Sequence, residues 1–162
     1  MYYADIKQYD ISNGPGVRIS LFVSGCTHRC KNCFNEVAWD FNYGEPFTEE
    51  TIDKIIEYGE PFERTNQQGL LPLLRKVREI YPKKTIWCFS GYLFDRDIVG
   101  RMVEDWPETK EMLSYIDVLV DGEFIEEEKN LTKRFKGSAN QRTIDVPASL
   151  KEGRVVIVEG YE

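Results

Sequence analysis

Three of the chain's four cysteines lie within eight residues, and their position constrains the fold more than any other feature of the sequence. Cys26, Cys30 and Cys33 follow residues 17–24, whose β-branched and apolar side chains predict a largely buried strand. In α/β folds, the loops at the carboxyl ends of strands carry ligands and catalytic groups. We therefore predict that the cysteine loop is a functional site.

Disulfide bonds explain these cysteines poorly. The amino terminus lacks the apolar run of a signal peptide, and no stretch of roughly 18 apolar residues could span a membrane, so we expect a cytoplasmic protein. Thiols stay reduced in that compartment, and a bond within so short a segment would restrict little of the chain. Clustered cysteines in the cytoplasm favour metal binding.

The spacing Cys26-x3-Cys30-x2-Cys33 is compatible with three states of the thiols. Three thiolates can hold a [4Fe-4S] cluster and leave its fourth iron open for a substrate. Alternatively, the same cysteines and His28 could bind a structural zinc ion, although one residue between His28 and each neighbouring cysteine is tighter than the usual gaps of zinc sites. Unligated thiols are the third alternative. The spacing favours the cluster.

Residues outside the motif allow two interpretations. Cys88 lies in an apolar segment at 85–89 and is expected to be a small buried hydrophobic residue, not a fourth ligand. Four aromatic residues after the motif could line a cofactor pocket or simply belong to the core. These are Trp39, Phe41, Tyr43 and Phe47.

Helical and extended patterns alternate along the chain. Apolar spacing predicts helices at residues 48–58, 67–81 and 95–105 and a shorter one from 107. Apolar runs predict strands at 85–89, 117–121 and 154–158. This alternation implies an α/β fold with right-handed crossovers and a mainly parallel sheet, either open or rolled into part of a barrel.

The first two predicted helices interrupt this alternation. Only residues 59–66 separate them, whereas a strand with its two loops needs about ten residues or more. The two helices should therefore follow each other directly.

Five segments together closely resemble the activating enzymes of anaerobic ribonucleotide reductases, a family within the radical S-adenosylmethionine superfamily. The cysteine spacing is typical of the superfamily, whereas the Asp-Gly and Gly-Ser-x-Asn-Gln-Arg segments single out this family. The matching segments are residues 13–18, 26–35, 86–92, 117–122 and 137–142. The resemblance covers nearly the whole chain.

The resemblance implies one domain, residues 1–162, with a partial (β/α) barrel that lacks one β/α strand near residues 57–60. Cys26, Cys30 and Cys33 would hold a [4Fe-4S] cluster, and S-adenosylmethionine would chelate its fourth iron. Cofactor-binding residues carried over from the family are Asn32, Cys33, Phe34, Gly59, Glu60 and Gly91. Cys33 is thus expected both to ligate the cluster and to contact S-adenosylmethionine.

The same resemblance implies the reaction and its partners. One electron cleaves S-adenosylmethionine, and the 5′-deoxyadenosyl radical takes a hydrogen atom from a glycine of the large subunit of anaerobic ribonucleotide reductase. A reduced flavodoxin- or thioredoxin-type protein would supply the electron. The formal net charge of −7 gives no basic surface for nucleic acid or an anionic membrane, so we expect neither partner.

Two alternative functions remain from the sequence. One is a zinc-stabilised interaction module, and the other is an inactive relative that binds the reductase without cleaving the cofactor. Five polar residues in the family segments could contact the partner or lie in a solvated loop. They are Asp121, Glu123, Asn140, Gln141 and Arg142.

Overall fold

The computed structural model describes residues 1–16, 18–33, 35–48, 60–130 and 132–161. The helix predicted at 48–58 lies almost entirely outside the described residues. So does the place before Glu60 where one β/α strand is expected to be missing. Two predicted cofactor contacts, Phe34 and Gly59, also lie outside them. Within the described part, no helix combines the length and the apolar character that a membrane span requires.

The first sheet has three antiparallel strands in the order β2-β1-β3. They are β1 (Tyr2–Asp10), β2 (Arg18–Val23) and β3 (Glu45–Pro46). The strand predicted at 17–24 is thus confirmed as β2. Strand β1 was not predicted, because a register shift after Tyr3 places two residues of β1 opposite one of β2 and breaks the alternation of apolar and polar side chains.

The second sheet has the order β4-β5-β6. Strands β4 (Trp87–Ser90) and β5 (Val118–Asp121) confirm two predicted strands and pair in parallel, whereas β5 and β6 (Arg142–Asp145) pair antiparallel. The prediction of a mainly parallel sheet is therefore wrong for the described residues. The β4–β5 connection carries the crossover helices that parallel pairing requires, whereas the described part of the β5–β6 connection has only one short helical turn, Glu126–Glu128.

Four helices surround the sheets in the described part of the chain. They are α1 (Arg64–Ile80), α2 (Phe94–Met102 in π geometry, continued by Val103–Asp105), α3 (Pro107–Tyr115) and α4 (Val146–Glu152). The strand predicted at 154–158 forms only a single bridge, between Ile157 and Ile144. Gly153 ends α4 with a φ of 66°, and the next turn begins at residue 159. The segment between them is therefore too short for a longer strand pairing.

One hydrophobic core joins the elements. Leu70, Leu71 and Leu74 of α1 are buried in one cluster with Leu21 of β2 and Leu119 of β5. Cys88 is 1% exposed within the same cluster, which confirms its predicted role as a core residue. This packing fixes the ends of β2, β4 and β5, whose following loops carry the candidate site.

Candidate metal centre

The cysteine loop starts with a tight backbone closure at the end of β2. The Gly25 and Cys26 N–H groups donate to the carbonyl oxygens of Ala38 and Trp39 at 2.8 and 3.3 Å. Gly25 has a φ of 98°, and a Cβ at this position would lie 2.3 Å from Phe41 Cδ1. Glycine is therefore required here both for its backbone conformation and for the space beside the aromatic ring.

A turn sets the spacing of the second and third thiols. The Cys33 N–H donates to the Cys30 carbonyl at 3.1 Å, and Asn32 inside this turn has a φ of 57°. Asparagine tolerates this left-handed conformation better than most residues. The structure thus gives Asn32 a conformational role in the loop, and its predicted contact with the cofactor stays a prediction.

All three motif thiols are half-buried and reduced. Burial raises the pKa of Cys26 to about 11, and the Glu60 charge adds to this effect. Burial and the Glu123 charge also raise the pKa of Cys30. Metal binding must therefore displace thiol protons at neutral pH.

The donor set of the loop fits an iron–sulfur cluster. Cys26, Cys30 and Cys33 lie on the loop after β2. Cys88 lies in β4 and is buried in the hydrophobic core. Among the described residues, no three histidine, cysteine or acidic side chains are close enough together to hold a single metal ion. Three thiols on one loop at a strand end match the ligands of a cluster that keeps one iron open.

His28 points its two ring nitrogens at carboxylates. Nδ1 donates to Glu123 Oε1 at 3.0 Å, and Nε2 lies 3.2 Å from Glu60 Oε2, close enough for charge attraction but outside hydrogen-bond geometry. Burial lowers the pKa of His28, but the two carboxylates outweigh it and raise the pKa to about 9. An imidazole held in this way is a poor zinc ligand, because a ligating nitrogen must be unprotonated.

Glu60 and Gly91, two of the predicted cofactor residues, meet at this histidine. The Glu60 carboxylate is 2% exposed and accepts hydrogen bonds from the Gly91 N–H at 2.7 Å and from Ser90 Oγ at 2.8 Å. A Cβ on Gly91 would lie 2.7 Å from the His28 ring. The Glu60 side chain therefore ties the end of β4 to the cysteine loop, and Gly91 leaves room for the histidine.

Thr27 makes a second attachment of the cysteine loop that sequence reasoning missed. Its hydroxyl donates to Glu63 Oε1 at 2.5 Å, and Tyr92 donates to the same oxygen at 3.1 Å. The Tyr92 ring also packs edge-on against His28, with ring centres 4.4 Å apart. Thr27 and His28 both lie between Cys26 and Cys30 in the sequence, and this position inside the motif was the available signal.

The polar residues of the family segments near β5 hydrogen-bond within the chain, although the Glu123 side chain is 56% exposed, and their contact with the partner stays a prediction. Asp121 is fully buried, and its carboxylate binds the Arg142 guanidinium at 2.9 and 2.5 Å. This pairing raises the pKa of Arg142. Gln141 donates to the Gly122 carbonyl at 2.9 Å, and Asn140 donates to the Glu123 carbonyl at 2.8 Å.

A cavity of about 670 Å³ opens beside Cys26. Trp39 and Phe41 line it, and the Arg29 guanidinium lies 5.6 Å from the centre of the Trp39 ring. Phe47 instead packs edge-on against Tyr3. Trp39 and Phe41 therefore form part of a cavity wall and Phe47 packs against the core, whereas Tyr43 is 42% exposed and belongs to neither.

Comparison with known proteins identifies the family. Residues 12–144 match the family model described as a 4Fe-4S single cluster domain. The Vibrio cholerae anaerobic ribonucleoside-triphosphate reductase-activating protein is 36% identical, over 87% of this chain and 96% of its own length. The proteins of the same name from Escherichia coli K12 and phage T4 are each 35% identical, over 96% and 92% of their lengths. No solved structure matches the chain.

The alignment with the Vibrio cholerae protein also shows a difference in length between the two chains. It extends over 156 residues, whereas 87% of a 162-residue chain is about 141 residues. The difference means that about 15 residues of the relative stand opposite no residue of this chain. The cysteine loop and the β5 network lie within the family match, and the chain belongs to the family of anaerobic ribonucleoside-triphosphate reductase-activating proteins.

Proposed function

We propose that this chain is a radical S-adenosylmethionine enzyme that generates a glycyl radical on an anaerobic ribonucleotide reductase. The observation that carries the proposal is the loop of three half-buried cysteines at the end of β2, within a 4Fe-4S single cluster domain. The relatives' names support the reductase as the target. The zinc module is disfavoured because both His28 nitrogens face carboxylates.

The roles of the residues follow from their positions. Cys26, Cys30 and Cys33 would hold the cluster and leave one of its irons open for S-adenosylmethionine. When bound, the cluster and S-adenosylmethionine would supply the radical chemistry that takes a hydrogen atom from a glycine Cα of the reductase. The protein orients the reactants and excludes water from the radical.

The predicted cofactor contacts divide between backbone and side-chain roles. The Glu60 carboxylate is already engaged by Ser90, Gly91 and the Phe62 N–H, so the Gly59–Glu60 segment would meet the methionine end through its backbone. Asn32, Phe34 and Gly91 would adjoin the adenosyl part.

We propose that the fold is a partial radical-SAM barrel that is one β/α strand short. The relative's roughly 15 additional residues support the missing strand, since a strand with its loops needs about ten residues or more, and the parallel pair β4–β5 with its helical crossover is compatible with part of such a barrel. The missing strand would precede Gly59, where the methionine end binds. We therefore propose weaker cofactor affinity than in relatives that have this unit.

The partners follow from the same chemistry. The substrate is the large reductase subunit, and the electron comes from a reduced flavodoxin- or thioredoxin-type protein in the cytoplasm. The 670 Å³ cavity beside Cys26 opens to the outside and leaves room for a segment of a protein substrate near the cluster.

Cleavage of S-adenosylmethionine tests this function. After anaerobic reconstitution with iron and sulfide, we expect about four irons per chain and, with dithionite, formation of 5′-deoxyadenosine and methionine. Both products are quantified by chromatography, and the unreduced protein is the control. A complete cluster without products at any cofactor concentration would contradict the enzymatic function and favour an inactive relative. One zinc ion per chain and no cluster would favour the zinc module.

A further inference from the structure

The loop after β2 meets two other segments of the chain at one side chain, His28. Its side chain is 8% exposed and lies between Cys26 and Cys30 in the sequence. Glu60 comes from the segment before α1 and faces Nε2, while Glu123 follows β5 and faces Nδ1. Because His28 lies two residues from Cys26 and from Cys30, contacts that hold its ring also restrain the backbone between these two cysteines.

The two carboxylates differ in what else they hold. Glu60 is buried and accepts hydrogen bonds from Ser90, Gly91 and Phe62, so its removal would disturb the fold as well as the loop. The Glu123 side chain is 56% exposed, and its carboxylate accepts a hydrogen bond from His28. Replacing Glu123 with an uncharged residue therefore acts on the His28 Nδ1–H, which loses its acceptor in an alanine variant, and leaves no buried charge unpaired on Glu123 itself.

The backbone of Glu123 is itself fixed by the family-specific segment. Asn140 donates to the Glu123 carbonyl at 2.8 Å, and Gln141 donates to the preceding Gly122 carbonyl at 2.9 Å. Gln141 Oε1 in turn accepts from the Gly137 N–H at 2.8 Å. A continuous set of hydrogen bonds thus connects the segment 137–142 with the cysteine loop.

We propose that Glu123 is a positioning residue that holds His28, and through it the cysteine loop, in the orientation required for cluster binding. The proposal rests on the proposed function, because it assigns a role toward the cluster. It also gives Asn140 and Gln141 a function: they fix the backbone from which Glu123 reaches the histidine. Partners that orient a metal-binding loop without ligating the metal commonly change its metal affinity about 10- to 100-fold.

Two matched variants of Glu123 distinguish a positioning role of its side chain from an effect of its negative charge. E123A removes the acceptor of the His28 Nδ1–H, whereas E123Q keeps an acceptor oxygen of similar reach and removes the charge. Glu127 provides the control, because it pairs with Lys31 of the same loop at 3.5 Å while both side chains are more than 70% exposed. E127A therefore removes a nearby negative charge without touching His28.

The first measurement is the rate at which the reconstituted full-length chain loses its cluster absorbance to excess EDTA under anaerobic conditions. We expect about tenfold faster loss in E123A and wild-type rates in E123Q and E127A. An unchanged rate in E123A would overturn the proposal. Equal acceleration in E127A would also overturn it, because the effect would then be one of general charge.

The second measurement needs no cluster. His28 is the chain's only histidine, so its imidazole signals in ¹⁵N–¹H NMR spectra of the metal-free chain are unambiguous. We expect one narrow set in the wild type and in E123Q, and shifted, broadened signals in E123A. Identical spectra for E123A and wild type would contradict the proposal. A wild-type chain that assembles no cluster would count against the proposed function alone, and these spectra would then decide the positioning role.

Discussion

Replacing Cys30 with alanine is expected to abolish cluster assembly and reduce cleavage of S-adenosylmethionine to background. The two remaining thiolates of the loop cannot hold a four-iron cluster that also leaves one iron open. Cys30 is half-buried on the loop after β2, so its loss removes a ligand without opening a core cavity. Iron, sulfide and 5′-deoxyadenosine are measured after anaerobic reconstitution.

Cys88 offers the matched control for this substitution. It is 1% exposed in the hydrophobic core, and C88A should retain the iron content and cleavage rate of the wild type. If C30A kept its cluster, or if C88A lost it, the assignment of the ligands to the loop would be wrong.

R142M is expected to destabilise the protein by about 3 kcal/mol, because it leaves the fully buried Asp121 carboxylate without its ion partner. We expect the low end of the range for broken buried pairs, since 29% of the Arg142 side chain is exposed and water can reach the vacated position. Asp121 would keep its hydrogen bond from the Phe94 N–H at 2.8 Å. The free energy of unfolding is obtained from urea denaturation of the reduced, metal-free chain.

The control for this effect is R75M. Arg75 pairs with Glu111 through two hydrogen bonds on the exposed surface between α1 and α3, so its removal should change stability far less. A stability of R142M within about 0.5 kcal/mol of the wild type would show that the pair contributes little.

The parts of the fold that follow from local pattern were predictable. The apolar runs at 17–24, 85–89 and 117–121 correspond to strands β2, β4 and β5, and the helical periodicity at 67–81 corresponds to α1. The pairing direction of the strands was not predictable in the same way. It depends on whether each connection crosses over through a helix, and the connection from β5 to β6 does not.

Solvent exposure also departed from the pattern at the end of α1. The apolar spacing within residues 67–81 places Ile80 on the same helix face as Leu70 and Leu74, but Ile80 is 52% exposed because it lies in the last turn, beyond the core that buries the two leucines. Periodicity specifies a face of a helix, whereas its burial depends on how far the neighbouring elements extend.

One part of the candidate site could be predicted from the sequence, and another part could not. The three cysteines were identifiable because their spacing is local. The partners of His28 were not, since Glu60 and Glu123 lie 32 and 95 residues away in sequence and meet it only in the fold. Asn140, Gln141 and Arg142 stood out as a family segment, but their hydrogen-bond partners became identifiable only from the structure.

The central claim is radical transfer to a reductase, and electron paramagnetic resonance tests it most directly. The reconstituted, reduced chain is mixed with S-adenosylmethionine and the large subunit of an anaerobic ribonucleotide reductase, and the frozen sample is recorded. We predict a glycyl-radical doublet on the reductase that requires the chain, the reductant and the cofactor together. Cleavage of the cofactor with no reductase-centred radical would contradict the account.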